Sequence, residues 1–275
     1  MTRRTIVITG ASDGIGAAAA RRLHRSGANV ALVGRSQSKT AAVAAELGAD
    51  YFVADFADLS QVRELADKIR AAYPRIDVLA NNAGGMFTNA HTTGDGHEVT
   101  FQVNYLAPFL LTTRLMEVLV ESRATVLSTT SSSHKLVRRV TATDLEDTAR
   151  RRPSTAYALT KLAIVLFTRE LHRRYHGSGL SSATFHPGYV NSNFGEASGS
   201  RFLVFMKYRV PLMVRFTATA DEAADQLVWL ASSTPGVDWM SGEYYAKGKL
   251  AKANRAAYDA DLARELWDRT LAKIA

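Results

Sequence analysis

Cysteine is absent from the 275 residues, which excludes a disulfide scaffold, a cysteine-ligated metal site and a cysteine nucleophile. Long apolar runs are absent too: no stretch approaches the roughly 18 consecutive apolar residues of a membrane span. Met1-Thr2-Arg3-Arg4 leads straight into Thr5-Ile6-Val7-Ile8-Thr9-Gly10, without the apolar core of a signal peptide. No linker, low-complexity tract or internal repeat divides the chain, so one domain over residues 1–275 is expected. These absences lead to the expectation of a soluble, cytoplasmic protein. Acidic residues are outnumbered, 26 against 34 Lys and Arg, for a formal net charge of +8. The basic pairs and triplets (Arg3-Arg4, Arg21-Arg22, Arg138-Arg139, Arg150-Arg151-Arg152, Arg173-Arg174) are spread along the sequence. A nucleic-acid binder concentrates such residues on a docking element, so nucleic acid is not expected as a partner. Attraction for an anionic cofactor is the simpler use of the charge.

What the chain does have is a repeated alternation. Ile6-Val7-Ile8, Val30-Ala31-Leu32-Val33, Tyr51-Phe52-Val53 and Asp77-Val78-Leu79-Ala80 are short apolar runs, each closed by Gly, Asp or Asn, and the first three lead into a helix-period segment. Thr125-Val126-Leu127 and Ser182-Ala183-Thr184-Phe185 continue the series, with helical patterns over 101–120 and 157–175. Strands alternating with helices of this length predict an α/β fold: a Rossmann-type, doubly wound parallel sheet with helices on both faces.

Between the first strand and first helix lies Gly10-Ala11-Ser12-Asp13-Gly14-Ile15-Gly16. Glycines there permit a tight turn and close backbone approach, and the helix N-terminus offers unpaired N–H groups to a pyrophosphate. The same residues read as Gly-x-Ser-x-Gly, the form of a hydrolase nucleophile elbow. Only one strand precedes Ser12, however, so no upstream loop is available for an oxyanion hole. Further on, Tyr157 and Lys161 stand four apart on a helical segment and share a face. A nearby ammonium would favour the phenolate and bring the tyrosine toward the range of an acid/base catalyst. Tyr245 and Lys249 share the spacing, but in a Gly-rich segment unsuited to a long helix. His172 and His176 are also four apart, yet Arg173-Arg174 between them disfavours a cation, and no metal is expected.

Taken in order, Thr9-Gly10-Ala11-Ser12-Asp13-Gly14-Ile15-Gly16, Asp55, Asn81-Asn82-Ala83-Gly84, Asn104, Ser131, Tyr157-x3-Lys161 and Pro187-Gly188 resemble the classical short-chain dehydrogenase/reductase family. Asp95-Gly96-His97-Glu98, the stretch 103–112 and Ser241-Gly242-Glu243-Tyr244-Tyr245 look like its retinol-dehydrogenase-like branch. The resemblance implies an oxidoreductase that interconverts a ketone or aldehyde and its alcohol by hydride transfer. Tyr157 would exchange the proton with the substrate oxygen. Lys161 would hold the nicotinamide ribose and lower the Tyr157 pKa. Ser131 would hydrogen-bond the reacting oxygen, with Ser132 as the alternative in the run 128–133, and Asn104 would support a water-linked proton relay. The cofactor site would comprise Gly10, Ser12, Asp13, Gly14, Ile15 and Gly16, then Asp55 and Phe56 at the adenine and Asn82, Ala83 and Gly84 along its length. Pro187, Gly188, Val190 and Ser192 would border the nicotinamide together with Tyr157 and Lys161. The resemblance also implies a homodimer or homotetramer, paired through the helices after Asp95 and around Tyr157.

The end of the second strand bears on the nicotinamide. It carries Gly34-Arg35 in place of a carboxylate that would repel a 2′-phosphate, and a guanidinium pairs well with phosphate. NADP(H) is therefore expected over NAD. Residues 193–217 are apolar with interleaved Arg201, Lys207, Arg209 and Arg215, the character of a lid over a lipophilic substrate. A subunit interface or a shallow membrane contact are the other uses of such a segment. A non-catalytic NADP-binding redox sensor or scaffold is the competing function, and it has no need of Asn104, Ser131, Tyr157 and Lys161 together.

Overall fold

The computed structural model describes residues 3–89, 91–188 and 218–274, and elements are numbered over those residues. Strand β1 (Thr5–Thr9) and helix α1 (Gly14–Arg25) are followed by β2 (Asn29–Gly34), α2 (Gln37–Leu47), β3 (Asp50–Val53), α3 (Leu59–Ala72) and β4 (Val78–Asn81). A long helical stretch then begins with α4 (Val99–Phe101), passes through a π-helical turn (Gln102–Leu106) and continues as α5 (Ala107–Arg114) and α6 (Met116–Glu121). Next come β5 (Thr125–Thr129), a 3-10 turn (Ser132–Leu136), α7 (Ala142–Glu146), α8 (Pro153–Tyr175) and β6 (Ser181–His186). After residue 217 the described chain resumes with α9 (Ala220–Ser232), the hairpin β7 (Glu243–Ala246) and β8 (Lys249–Leu250), and α10 (Ala260–Ile274).

The strands form one sheet in the order β3-β2-β1-β4-β5-β6-β7-β8, parallel except for β8. This is the doubly wound architecture expected from the alternation. Because strand side chains alternate, Ile6 and Ile8 pack with α1, α2 and α9 on one face, while Val7 packs with α3, α5, α8 and α10 on the other. From β1 the chain leaves toward the first face, and from β4 toward the second. Between these two neighbours the strand order reverses, which opens a crevice at their carboxyl ends. The Tyr245/Lys249 pair falls on the β7–β8 hairpin, not on a helix.

Helix α10 adds an outer layer. Its Trp267 stacks on Phe167 of α8 at 5.7 Å and meets Phe109 of α5 edge-on at 4.8 Å. Thr270 hydrogen-bonds the buried Tyr105 hydroxyl at 3.0 Å, and the Ile274 carbonyl accepts from Arg63 of α3. Helix α8 is consequently buried from Ala156 to Leu171, apart from the half-buried Tyr157 and Arg169. A helix apolar all round belongs to an interior. Helix α10 thus lies against both α5 and α8, in the region implied for subunit pairing.

Trp267→Ala removes the keystone of this layer and should destabilise the protein by about 3–5 kcal/mol. Denaturant unfolding reads this directly; an unchanged midpoint would mean that α10 contributes no packing of its own.

Candidate active site

Several strand ends converge on the crevice. Thr9, the last residue of β1, is fully buried, and its hydroxyl donates to the Ala80 carbonyl at 3.2 Å. The same oxygen accepts the main-chain N–H groups of Asn82 and Ala83, each at 3.0 Å. Asn82 in turn donates its amide to the Thr9 carbonyl at 3.0 Å and accepts from the Thr129 hydroxyl at 3.1 Å. The ends of β1, β4 and β5 are tied by one asparagine.

The glycine loop is built against this tie. Gly10 has φ +68°, and a side chain there would stand 2.9 Å from the Ala83 Cα. A Cβ on Gly16 would strike the Gly10 carbonyl oxygen, so the loop and helix α1 close tightly only without side chains. Asp13 caps α1 by accepting the Gly14 N–H at 2.7 Å, and its other carboxylate oxygen lies 3.8 Å from Lys39. A carboxylate at this helix N-terminus is favourable to the dipole, which accounts for its presence in the loop.

A cavity of ≈ 290 Å³ opens beside the loop. It is lined by Gly10, Ser12 and Asp13 from β1–α1 and by Arg35 after β2. Asp55 and Phe56 after β3, with Ala83 and Gly84 after β4, complete the residues predicted for it. Gly14, Ile15 and Gly16 begin α1 behind this wall, and Asn82 anchors it from below. A glycine loop with no room for a Cβ at Gly10 and Gly16, a helix N-terminus and cations at one end suit a dinucleotide pyrophosphate. Sequence reasoning missed Ser36, Lys39, Gly85, Met86 and Phe87, which also line the cavity. Lys39 had a readable signal, since it follows Arg35 by four residues on the first turn of α2.

At the ends of β5 and α8 the remaining groups meet. Lys161 donates to the Thr129 carbonyl at 3.1 Å, and its Nζ lies 5.4 Å from the centre of the Tyr157 ring. Ser131 stands beside Tyr157, and its hydroxyl favours ionisation of the Tyr157 hydroxyl. Ser131 keeps an extended backbone (φ −143°), whereas Ser132 has entered the 3-10 turn. Asn104 lies within the π-helical turn, an irregularity frequent at functional sites. Both its amide hydrogens are committed, at 2.8 Å each, to the Gly85 and Thr100 carbonyls, while its oxygen accepts the Gly85 N–H at 3.0 Å. Its side chain therefore pins the loop after β4 to the helix. Pro187 and Gly188 follow β6, at the same edge of the sheet. Val190, Ser192 and the segment 193–217 lie outside the described residues.

Electrostatics differ from the simplest expectation for the Tyr/Lys pair. Burial dominates both groups: it pushes the Tyr157 hydroxyl up to about 12, opposed by the Ser131 hydrogen bond, and pushes Lys161 down to about 7. Without an anionic group beside it, the ammonium loses more from desolvation than it gives to the phenol. His134, fully buried against the ring of Tyr244, is likewise pushed down to about 4 by burial.

A family model described as short chain dehydrogenase matches residues 4–201. A candidate daunorubicin C-13 ketoreductase from Streptomyces sp. (strain C5) is 39% identical, over 98% of this chain and 92% of that protein. Retinol dehydrogenase 13 from Homo sapiens is 34% identical, over 96% of this chain and 82% of that protein. Among solved structures, an uncharacterised protein from Mycobacterium paratuberculosis superposes with a TM-score of 0.77 at 31% identity, covering 99% of this chain and 94% of that one.

The depressed Lys161 has a stability signature. Below pH 7 the lysine is charged in both folded and unfolded chains, and its burial penalises the fold in full. Between pH 7 and about 10.4 the unfolded chain binds the extra proton, so stability rises with pH. The contribution of His134 is already complete above about pH 6.5 and does not confuse this window. Nucleotide-free protein should gain roughly 5 °C in Tm between pH 7 and 9, and Lys161→Met should flatten that slope. An equal slope in the variant would refute the assignment.

Proposed function

This chain belongs to the short chain dehydrogenase family, in its retinol-dehydrogenase-like branch, and from that membership we propose an NADP(H)-dependent oxidoreductase of lipophilic ketones or aldehydes and their alcohols. Oxidoreduction of carbonyl and alcohol groups comes with the family; the cofactor form, the substrate class and the residue roles are our reading. The observation that carries it is the gathering of Ser131, Tyr157 and Lys161 at the end of a trough where Gly10 and Gly16 leave no room for a Cβ.

The bound nicotinamide supplies or accepts the hydride. Tyr157 holds a proton on its hydroxyl at neutral pH, as its raised pKa requires, and gives it to the carbonyl oxygen in the reductive direction. Ser131 hydrogen-bonds that oxygen and orients it toward Tyr157. Lys161, buried at the base of the pair, binds the nicotinamide ribose. Binding energy at the other end comes from the cations: Arg35 and Lys39, with the Ser12 and Ser36 hydroxyls, face the cavity where β2 ends without a carboxylate. That set suits a 2′-phosphate by charge-assisted hydrogen bonds. A lipophilic substrate is supported by the apolar character of 193–217 and by the daunorubicin and retinol for which the two relatives are named.

Following nicotinamide absorbance with a panel of lipophilic ketones and aldehydes tests the reading. Tyr157→Phe should lower kcat by roughly 10²–10⁴-fold while NADPH still binds; unchanged turnover would overturn the mechanism. Arg35→Ala should raise the KM for NADPH by roughly 10–100-fold and leave that for NADH nearly unchanged. An equal effect on both nucleotides would place the arginine elsewhere than on the 2′-phosphate.

A further inference from the structure

Two basic stretches far apart in the sequence come together beside the serine turn. The first is Lys135-Leu136-Val137-Arg138-Arg139; the second, Lys247-Gly248-Lys249-Leu250-Ala251-Lys252, forms the β7–β8 hairpin and its exit. Asn254 joins them, donating to the main-chain carbonyls of His134 and Val137 at 2.8 Å each. Tyr244 joins them again: its carbonyl accepts the Ala251 N–H at 2.9 Å, and the Lys135 ammonium lies 5.4 Å from its ring. Between the stretches runs an open groove of ≈ 940 Å³, lined by Lys135, Arg138, Arg139, Lys252 and Arg255. Its one carboxylate, Asp259, is engaged in accepting the first N–H groups of α10.

Three features set this rim apart from an ordinary solvated face. None of its cations has a carboxylate partner among the described residues, whereas Arg174 on α8 holds both Glu170 and Asp268. Each stretch presents one exposed leucine among its cations: Leu136 is 78% and Leu250 59% exposed. Two of the three described non-glycine residues with positive φ are rim cations, Arg139 and Lys247. Lys247 stands with Gly248 at the tip of a two-residue hairpin whose φ values are +54° and +71°, where Asn-Gly is the favoured pair. A lysine is thus kept at a position that its side chain disfavours.

We propose that this rim docks on the surface of an anionic lipid bilayer. Lys135, Arg138, Arg139, Lys247, Lys249, Lys252 and Arg255 face the headgroups, and Leu136 and Leu250 enter the interface. Charge complementarity alone would serve a nucleic acid equally, but the exposed leucines gain nothing against a polyanion in water. The docked face lies on the 3-10 turn that begins after Ser131, so a lipid-dissolved substrate would meet the protein beside its reactive groups. The cations do not rest on the cofactor or substrate reading and are tested without turnover.

The test is co-sedimentation of the full chain with vesicles of phosphatidylcholine alone, and of phosphatidylcholine with an equal part of phosphatidylglycerol. Binding to the anionic vesicles only is expected. It should weaken roughly fivefold for each rim cation neutralised in Arg138→Gln, Arg139→Gln and Lys252→Gln. Leu136→Ser and Leu250→Ser should each weaken it roughly tenfold, and most at high salt, where the charge contribution is screened. NADPH binding monitors the fold of every variant. Failure to bind anionic vesicles overturns the proposal, as does binding that the rim substitutions leave unchanged. Binding that is indifferent to both leucines and fully displaced by duplex DNA would make the rim a polyanion surface instead.

Discussion

The site depends on one half-buried asparagine and the buried threonine facing it. Parallel strands leave their carboxyl ends open, with main-chain groups that no neighbouring strand satisfies. Here Thr9 and Asn82 answer those groups across the β1/β4 junction, and Asn82 extends the tie to Thr129 on β5. Buried polar groups fully satisfied in this way favour one arrangement, because leaving any of them unpaired carries a desolvation penalty. The glycines follow from that rigidity. With Ala83 and the Asn82 amide fixed, Gly10 and Gly16 have no room for a Cβ, so the loop lies against the strand ends with its main chain exposed to the cavity.

Much of this was legible in the sequence, for reasons that can be named. The strand–helix alternation is local and periodic, so the doubly wound sheet follows from it. The glycine spacing, Tyr157/Lys161 and Arg35 lie within single elements or turns, where neighbours along the chain are neighbours in space. Thr9 reads as an ordinary β-branched strand residue, because its hydroxyl finds its partners more than seventy positions away. The aromatic layer under α10 is hidden for the same reason: nothing in 260–274 announces Phe109 and Phe167. Charge was the most misleading quantity. Basic residues that are dispersed in the sequence gather in the fold at two places, the nucleotide end of the cavity and the rim beside the serine turn.

Burial of α8 has two consequences that pull against each other. Enclosing the helix gives its side chains a fixed geometry, and the aromatic contacts of Trp267 supply much of the packing. The same enclosure desolvates Lys161, which is why its charged form is disfavoured when the trough holds no anion. A buried lysine of this kind is held at the expense of stability, with the surrounding apolar contacts offsetting the loss.

Three consecutive residues fix the register of the groups proposed for acid/base chemistry. Thr129 gives its hydroxyl to Asn82 and its carbonyl to the Lys161 ammonium; Thr130 gives its hydroxyl to the Lys161 carbonyl at 2.8 Å; Ser131 pairs with Tyr157. The end of β5 therefore grips α8 at both ends of one lysine and, through Asn82, is itself held to β1 and β4. Ser131 is the last residue to keep the extended backbone before the chain turns. Ser131 thus follows directly on two threonines whose hydrogen bonds hold Asn82 and Lys161, which places it beside Tyr157.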